Sequence, residues 1–387
     1  MGFLVRLIVM SERRPDRIAV FPGDHSGPEV IGAAKRVMEA IGGVETTDYL
    51  IGGASIEKYG VPLTDETLAA SLDHDAILLG AVGGPEWDDL PPEVRPERGL
   101  LRLRQEGEFG TNLRPAKVYP QLLDSSPYRS ERIEGMDLLV VREAVGGIYF
   151  GESGRDERGA YYDTCEYSSL EISDVVYDAF QLAQQRAWEH DRPAKVTVVT
   201  DDPKMATAQL WEQVAGKIAS HYPGVEYECL DRKTAIRRLT EDPRQFDVLV
   251  TENMLGDIIS DATAGQTGTL GLAASTSLNK RSQSLSEPVH GSAPDIAGRQ
   301  EANPIATILS VAMMYRHGLN RPEDATLIEH AVEQVLEIGY RTPDLMPVDP
   351  ADREYWHLEC STTEMTGMVV TLIKRIKEDR AVSPWPK

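Results

Sequence analysis

The sequence predicts an α/β protein with a mainly parallel sheet and material for two domains. Short apolar strand signals alternate with amphipathic helix signals along the chain. The 387 residues suffice for two domains and a sizeable core. No GxGxxG occurs, so a Rossmann fold is unsupported.

Arg17-Ile-Ala-Val-Phe-Pro22 reads as a buried strand entering the turn Gly23–Glu29. Pro28 then opens a helix with apolar positions Val30, Ile31, Ala34, Val37 and Met38. Buried strands follow at Ala76–Gly80, Asp137–Arg142, Lys195–Thr200 and Phe246–Thr251. Gly146–Tyr162 is rich in glycine and aromatics. Ile305–His317 predicts an apolar helix and Met365–Ile376 a terminal one. The longer, more polar Met346–Glu359 reads as a surface insertion.

Composition excludes several function classes. A net charge of −22 argues against nucleic acid or an anionic membrane surface as partner. It leaves room for an anionic small molecule held by a local arginine cluster. Cys165, Cys229 and Cys360 are far apart, without CxxC, which fits a reducing compartment, the cytoplasm, and no structural zinc. The opening Met1–Met10 is apolar but short and lacks a small-residue cleavage site, so it does not read as a signal peptide. Met10 is an alternative start, which would make the first nine residues an extension. No run reaches transmembrane length.

Glu287-Pro-Val-His-Gly-Ser-Ala-Pro-Asp-Ile-Ala-Gly298 is the most informative stretch. Its Asp295 suits the two hydroxyls of an adenosine ribose and would repel a 2′-phosphate, favouring NAD over NADP. On the residues alone, a surface loop with a helix-capping Asp is an equal reading. Asp257 and Asp261, four apart in a helical stretch, share a face and repel unless a cation lies between them. Mg²⁺ or Mn²⁺ would serve through oxygen ligands. An acidic pair near a helix N-terminus explains the same spacing. Arg104, Arg114 and Arg142 could clamp a dicarboxylate with their forked guanidinium groups, although a single arginine at a strand end is more often a surface charge. Tyr149, in Val145-Gly-Gly-Ile-Tyr-Phe-Gly-Glu152, could give a proton to an enolate carbon or simply plug a hairpin.

Order and identity of residues decide among these. The 287–298 stretch, continued by Ala302-Asn-Pro-Ile-Ala-Thr-Ile-Leu-Ser310, resembles the adenosine-binding loop of the isopropylmalate branch of the β-decarboxylating dehydrogenases. That family also holds isocitrate, homoisocitrate and tartrate dehydrogenases. The likeness runs from about Ile18 to the last helix. It implies a two-domain isopropylmalate dehydrogenase-like α/β fold, with 1–108 and 263–387 as a discontinuous first domain and 109–262 as the second. It implies a homodimer joined by an arm at Gly146–Tyr162. The implied activity is NAD-dependent oxidative decarboxylation of a 2-hydroxy dicarboxylic acid, foremost 3-isopropylmalate in leucine biosynthesis, with Mg²⁺ or Mn²⁺.

The resemblance also assigns residues. Arg104, Arg114 and Arg142 fall on the malate-clamping arginines, and Tyr149 on the catalytic tyrosine. Asp257 and Asp261 fall on metal ligands. Glu97 and Leu100 line the pocket for the substrate's γ-group and the nicotinamide, where an apolar Leu100 suits an isopropyl group. His290, Gly291, Ser292, Ala293, Pro294, Asp295, Ile296 and Asn303 form the nucleotide loop. Gly80–Glu86 resembles a loop near the nicotinamide, without individual roles. His25 departs from the commoner Gly-Asp-Gly-Ile-Gly turn as a tolerated variant.

Two positions depart from the pattern. The family supplies a catalytic lysine and a third metal-binding aspartate from the partner subunit. Counting back from Leu210-Trp211 without gaps puts Asp201 at the lysine position, with Lys204 three residues on. Counting back from Phe246-Asp247 puts Lys233 at the aspartate position, with Asp231 two residues before it. Either Lys204 and Asp231 take over these roles, or Asp201 and Lys233 occupy them as an exchanged pair. The chain is then a working isopropylmalate dehydrogenase, a related dehydrogenase for another malate-like substrate, or a catalytically weak NAD-binding paralogue acting through assembly.

Overall fold

The computed structural model describes residues 14–347 and 349–382. The expected N-terminal extension lies outside them. The apolar run Ile18–Phe21 forms the centre of strand β1 (Asp16–Gly23), and all four side chains are fully buried. Pro28 lies in the first turn of α1 (Gly27–Ile41), where its missing N–H costs nothing. The predicted positions Val30, Ile31, Ala34, Val37 and Met38 are its buried face. Then come β2 (Val44–Asp48), α2 (Gly53–Tyr59), α3 (Asp65–Leu72), β3 (Ala76–Ala81), α4 (Pro96–Glu106) and β4 (Thr111–Lys117). After α5 (Ser130–Ile133) and β5 (Asp137–Glu143), the glycine- and tyrosine-rich stretch forms an exposed hairpin. Its strands are β6 (Ser153–Arg155) and β7 (Tyr161–Asp163), paired antiparallel.

Next come α6 (Ser169–His190), β8 (Lys195–Thr200), α7 (Ala206–Ala219), β9 (Glu226–Asp231), α8 (Arg232–Glu241), β10 (Val248–Thr251) and α9 (Asn253–Gln266). The chain returns through β11 (Ala274–Leu278) and β12 (Ser284–Pro288) to α10 (Ile305–Met313), which ends in a π-helical turn at Met314–Gly318. α11 (Pro322–Ile338), β13 (Tyr340–Arg341), β14 (Leu358–Glu359) and α12 (Thr362–Val382) close it. The segment read as a surface insertion is only partly loose. Tyr355 is exposed, yet β14 pairs with β13, and His357 and Cys360 are buried.

One ten-stranded sheet runs β2-β1-β3-β12-β11-β4-β5-β10-β8-β9. The first four strands are mutually parallel, as are the last four. β12, β11, β4 and β5 are antiparallel neighbours, so the two parallel blocks point in opposite directions. Helices α1, α10, α11 and α12 pack on the first block around Ile18, Val20 and Leu78. Helices α6 and α7 cover the second block around Val176, Phe180 and Trp211. Each fully buried large side chain contributes about 1.5–3 kcal/mol from area alone, so truncating Phe180 would cost about 3–5 kcal/mol once its cavity is included. Candidate functional residues lie on α4, β4, β5, α9 and the loops that follow β1, β3 and β12.

Candidate active site

The site is built around α9. Glu252 caps its N-terminus, accepting from the N–H groups of Met254 and Leu255. That start places Asp257 and Asp261 one helical turn apart on one face. Gly256 lets β5 approach: a Cβ there would lie 2.7 Å from Arg142 Cγ.

Arg114 on β4 and Arg142 on β5 both converge on Asp257. Arg114 donates to Asp257 Oδ1 at 3.1 Å and to Ser260 Oγ at 2.9 Å, and lies 3.7 Å from Asp261. Its Nε donates to Asn112. Arg142 pairs with Asp257 and grips Asn253 Oδ1 with two further N–H groups at 3.0 and 2.8 Å. Both guanidinium groups are buried. Burial, and then the neighbouring Arg114, push Arg142 down to about 10. Burial likewise lowers Arg114, opposed by Asp257. The Asp261 carboxyl is raised, first by burial and then by Asp257. Burial and like-charged neighbours raise the cost of each charge, and the opposite charges across the site offset part of it.

Arg104, in the last turn of α4, is paired with Glu287 at 2.5 Å, and both side chains are nearly buried. It adds positive field to Arg114 and Arg142. Tyr149 follows in a 3₁₀ turn (Gly147–Tyr149) and is 44% exposed. Its hydroxyl is raised above its ordinary range by burial and then by Asp257, against Arg142. It therefore keeps its proton at neutral pH. Glu97 and Leu100 lie on α4; Glu97 is exposed beside Gly83, and Leu100 is half-buried against the Phe109 cluster.

The nucleotide-type loop is stitched to two others. Asp24, after β1, accepts N–H bonds from Gly53, Ala54 and Gly83 at 2.8–2.9 Å. Ser292 donates to the Gly83 carbonyl at 2.7 Å and accepts from the Ser26 N–H. His25 takes φ 51°, in the left-handed region that histidine tolerates better than most residues, and its ring meets Glu86 at 3.1 Å. This is the physical reason the turn accepts His where Gly is commoner. Ala293 also has positive φ, 42°. Asp295 is exposed, as are Gly291 and Pro294, and Ile296 is half-buried. Burial lowers His290, and its Nε2 is buried without a hydrogen-bond partner. Asn303 is less free: it accepts from the Ile305 N–H, opening α10, and donates to Asp344.

Two candidates stand apart. Lys204 is exposed in the turn before α7. Asp231 caps α8, accepting from Lys233 N–H, Thr234 N–H and the Thr234 hydroxyl. The exchanged pair is not formed within the chain. Asp201 instead binds Arg232 at 2.6 Å, and Lys233 is exposed. The reason is register: Thr200 and Asp231 are sheet partners, so the residues that follow each, Asp201 and Arg232, meet beyond the strand ends. Among the described residues no three His, Cys, Asp or Glu side chains gather to hold a metal. Asp257 and Asp261 offer two carboxylates on one face of α9.

Sequence reasoning missed Asn253, Glu287 and Asp24. Each stood inside a noticed motif, but their work is tertiary: gripping Arg142, pairing Arg104 and clamping three loops.

The chain is similar to known proteins over most of its length. The sequence pattern of the isocitrate/isopropylmalate dehydrogenase family matches residues 17–369. The chain is 46% identical over 342 residues to the 3-isopropylmalate dehydrogenase of Carboxydothermus hydrogenoformans, covering 86% of this chain and 90% of that one. It is 44% identical over 375 residues to that of Pseudomonas fluorescens, covering 93% and 99%. The solved isocitrate dehydrogenase of Methylococcus capsulatus superposes with a TM-score of 0.79 at 30% identity, covering 93% and 99%. A β-decarboxylating dehydrogenase of Thermococcus kodakarensis gives 0.77 at 29% identity, covering 96% and 99%.

Proposed function

The chain belongs to the isocitrate/isopropylmalate dehydrogenase family and is a decarboxylating dehydrogenase, and from that premise we propose that it oxidises and decarboxylates 3-isopropylmalate with NAD in leucine biosynthesis. One observation carries the chemistry. Arg114 and Arg142 converge on Asp257, with the Tyr149 hydroxyl in the field of that same carboxylate.

The arginines bind and orient. Arg104, Arg114 and Arg142 offer forked donors to the two malate carboxylates. A divalent cation, Mg²⁺ or Mn²⁺, would be held by Asp257 and Asp261, where it would polarise the 2-oxygen and ease loss of the β-carboxylate as CO₂. The fit rests on the Asp257–Asp261 repulsion, which a cation relieves. Tyr149 keeps its proton until the β-carboxylate leaves, then donates it to the enolate carbon and is itself left as a phenolate to be reprotonated. Leu100, with Glu97 beside it on α4, suits an apolar γ-group and disfavours a third carboxylate.

Asp295 supports NAD rather than NADP, because a carboxylate at the ribose repels a 2′-phosphate. The unpartnered Nε2 of His290 supports the loop as the adenosine site, with Gly291, Ser292, Ala293, Pro294, Ile296 and Asn303 around it. We read the chain as two domains, 1–108 with 263–387 and 109–262, a division supported by the opposed parallel blocks. The exposed β6–β7 hairpin supports a homodimer joined through this arm. No helix among the described residues is long and apolar enough to cross a membrane; we place the enzyme in the cytoplasm.

A second reading has one specific support. Asp201, which ungapped counting puts at the family's lysine position, is bound to Arg232, which favours a related dehydrogenase for another malate-like substrate. Turnover of 3-isopropylmalate, isocitrate, malate and tartrate, each with NAD and Mg²⁺, separates the two. The first reading expects 3-isopropylmalate to have the highest kcat/KM by at least about tenfold. A higher value for another acid overturns it.

A further inference from the structure

Beyond the groups that face substrate, the turn bearing Tyr149 is tied to a single buried carboxylate. Glu143 ends β5, one residue after Arg142, and is 1% exposed. Its two oxygens accept separate backbone N–H bonds, from Val145 at 2.9 Å and Gly146 at 3.0 Å. The carbonyl of that same Gly146 accepts from Asn253 Nδ2 at 2.9 Å. Asn253 Oδ1 is the atom that Arg142 grips. The backbone therefore runs from the arginine to the tyrosine through one closed ring: Arg142, Asn253, Gly146 and Glu143.

Neighbouring residues fix the ring further. Tyr167 donates to Glu252 at 3.3 Å and accepts from the Asn253 N–H at 3.0 Å. A Cβ on Gly147, whose φ is +73°, would lie 2.2 Å from the Tyr167 hydroxyl. The turn can approach that hydroxyl only as glycine. Phe150 and Gly151 then donate back to the Gly147 carbonyl, closing the 3₁₀ turn around Tyr149.

We propose that Glu143 is a positioning residue for the proton donor: its paired oxygens hold the Val145–Gly146 backbone and so aim Tyr149 at the carbon beside Arg142 and Asp257. This rests on the reading of Tyr149 as the proton donor. Among the described residues no ion pair to Glu143 is formed; Tyr167, Glu171 and Cys165 are the titratable groups facing it, with Glu252 beyond Tyr167. Burial pushes its carboxyl up to about 7, against the two backbone donors. Each oxygen accepts one N–H, so a proton on either weakens it as an acceptor and adds a buried O–H that needs a partner of its own, which loosens the turn.

The test is Glu143→Gln, whose amide has a single acceptor oxygen, assayed as the full-length enzyme beside Tyr149→Phe and the double variant. Positioning predicts that kcat falls roughly ten- to a hundredfold, because an ångström of misplacement suffices for that. KM for 3-isopropylmalate and for NAD should stay within about twofold. The fall in kcat from about pH 8 to pH 6 should flatten in the variant. The double variant should be no slower than Tyr149→Phe alone, since Glu143 acts through that residue. A Glu143→Gln enzyme that melts lower but keeps wild-type kcat and pH profile overturns the proposal, and so do additive losses in the double variant. If Tyr149→Phe itself keeps full turnover, the proton-donor reading fails first and this proposal fails with it.

Discussion

Arg104 and Glu287 are bound to each other at 2.5 Å, with 12% and 7% of their side chains exposed. A substrate carboxylate that uses Arg104 must share it with Glu287 or displace it. Glu287→Gln should leave Arg104 buried and uncompensated, destabilising the free enzyme by about 3–5 kcal/mol. Substrate would then supply the missing anion. Its addition should raise the melting temperature more in the variant than in the wild type, by linkage. Scanning calorimetry with and without 3-isopropylmalate checks this, and equal shifts would mean that Arg104 does not meet the substrate.

Arg114→Ala and Arg142→Ala should each raise KM for the substrate roughly ten- to a hundredfold, the worth of one lost charge-assisted bond. NAD affinity should stay near wild type. Arg142→Ala should also lower kcat, since Asn253 loses the group that orients it. Steady-state kinetics separates the two effects; unchanged KM in both variants would remove the clamp from the mechanism.

NAD should be used at least about tenfold more efficiently than NADP, because Asp295 would set a carboxylate against a 2′-phosphate at the ribose. Asp295→Lys should narrow or invert that ratio. Side-by-side kcat/KM measurements decide, and a wild-type enzyme that prefers NADP would rule out the assignment.

Divalent metal should be required, and chelation should abolish turnover. Asp231→Asn is a clean probe, because asparagine still caps α8 while the charge is gone. We expect it to weaken Mg²⁺ binding, and Lys204→Ala to lower kcat by about 10²-fold or more. If both are mild while Lys233→Asp tightens metal binding, then Asp201 and Lys233 hold the partner-facing places. Calorimetric Mg²⁺ titration and kcat together settle the choice.

Acid should weaken the fold through His317. It lines a cavity of about 530 Å³ with Arg316 and Arg186, and burial, then these two cations, push it down to about 4. The folded state thus holds the neutral ring more strongly than the unfolded chain does. Its contribution is complete above the unfolded value of 6.5 and is lost as pH falls from there to 4. The loss approaches about 3 kcal/mol, less what water entering the cavity recovers. His317→Gln should flatten denaturant stability between pH 6.5 and 4; an unchanged slope would assign the acid lability elsewhere.

The sheet was legible where strands are continuous apolar runs, as in Ile18–Phe21 and Val248–Val250, because strands buried on both faces admit little else. The first helix was legible for the complementary reason, a 3.6-residue apolar spacing. Resemblance marked the arginines, Tyr149 and the acid pair. Neither pattern nor resemblance could show that Asp201 meets Arg232, because that pairing depends on the register between β8 and β9. Asn253 was hidden for a related reason. An asparagine at a helix start reads as capping material, and only the fold shows its side chain bridging Arg142 and Gly146.

Helix α9 bears the two acids on one face and Asn253 at its head, so its axial rotation is shared by all three. Sliding its sequence by one residue would turn every side chain by about 100° and misplace them together. Such a helix is poor ground for gradual change, in nature or in the laboratory. Helix α4 is different: Glu97 and Leu100 lie one turn apart there, and neither fastens Arg142 or the Tyr149 turn. A library aimed at new acids should therefore diversify Glu97 and Leu100, keep Arg104 at the end of the same helix, and leave α9 untouched.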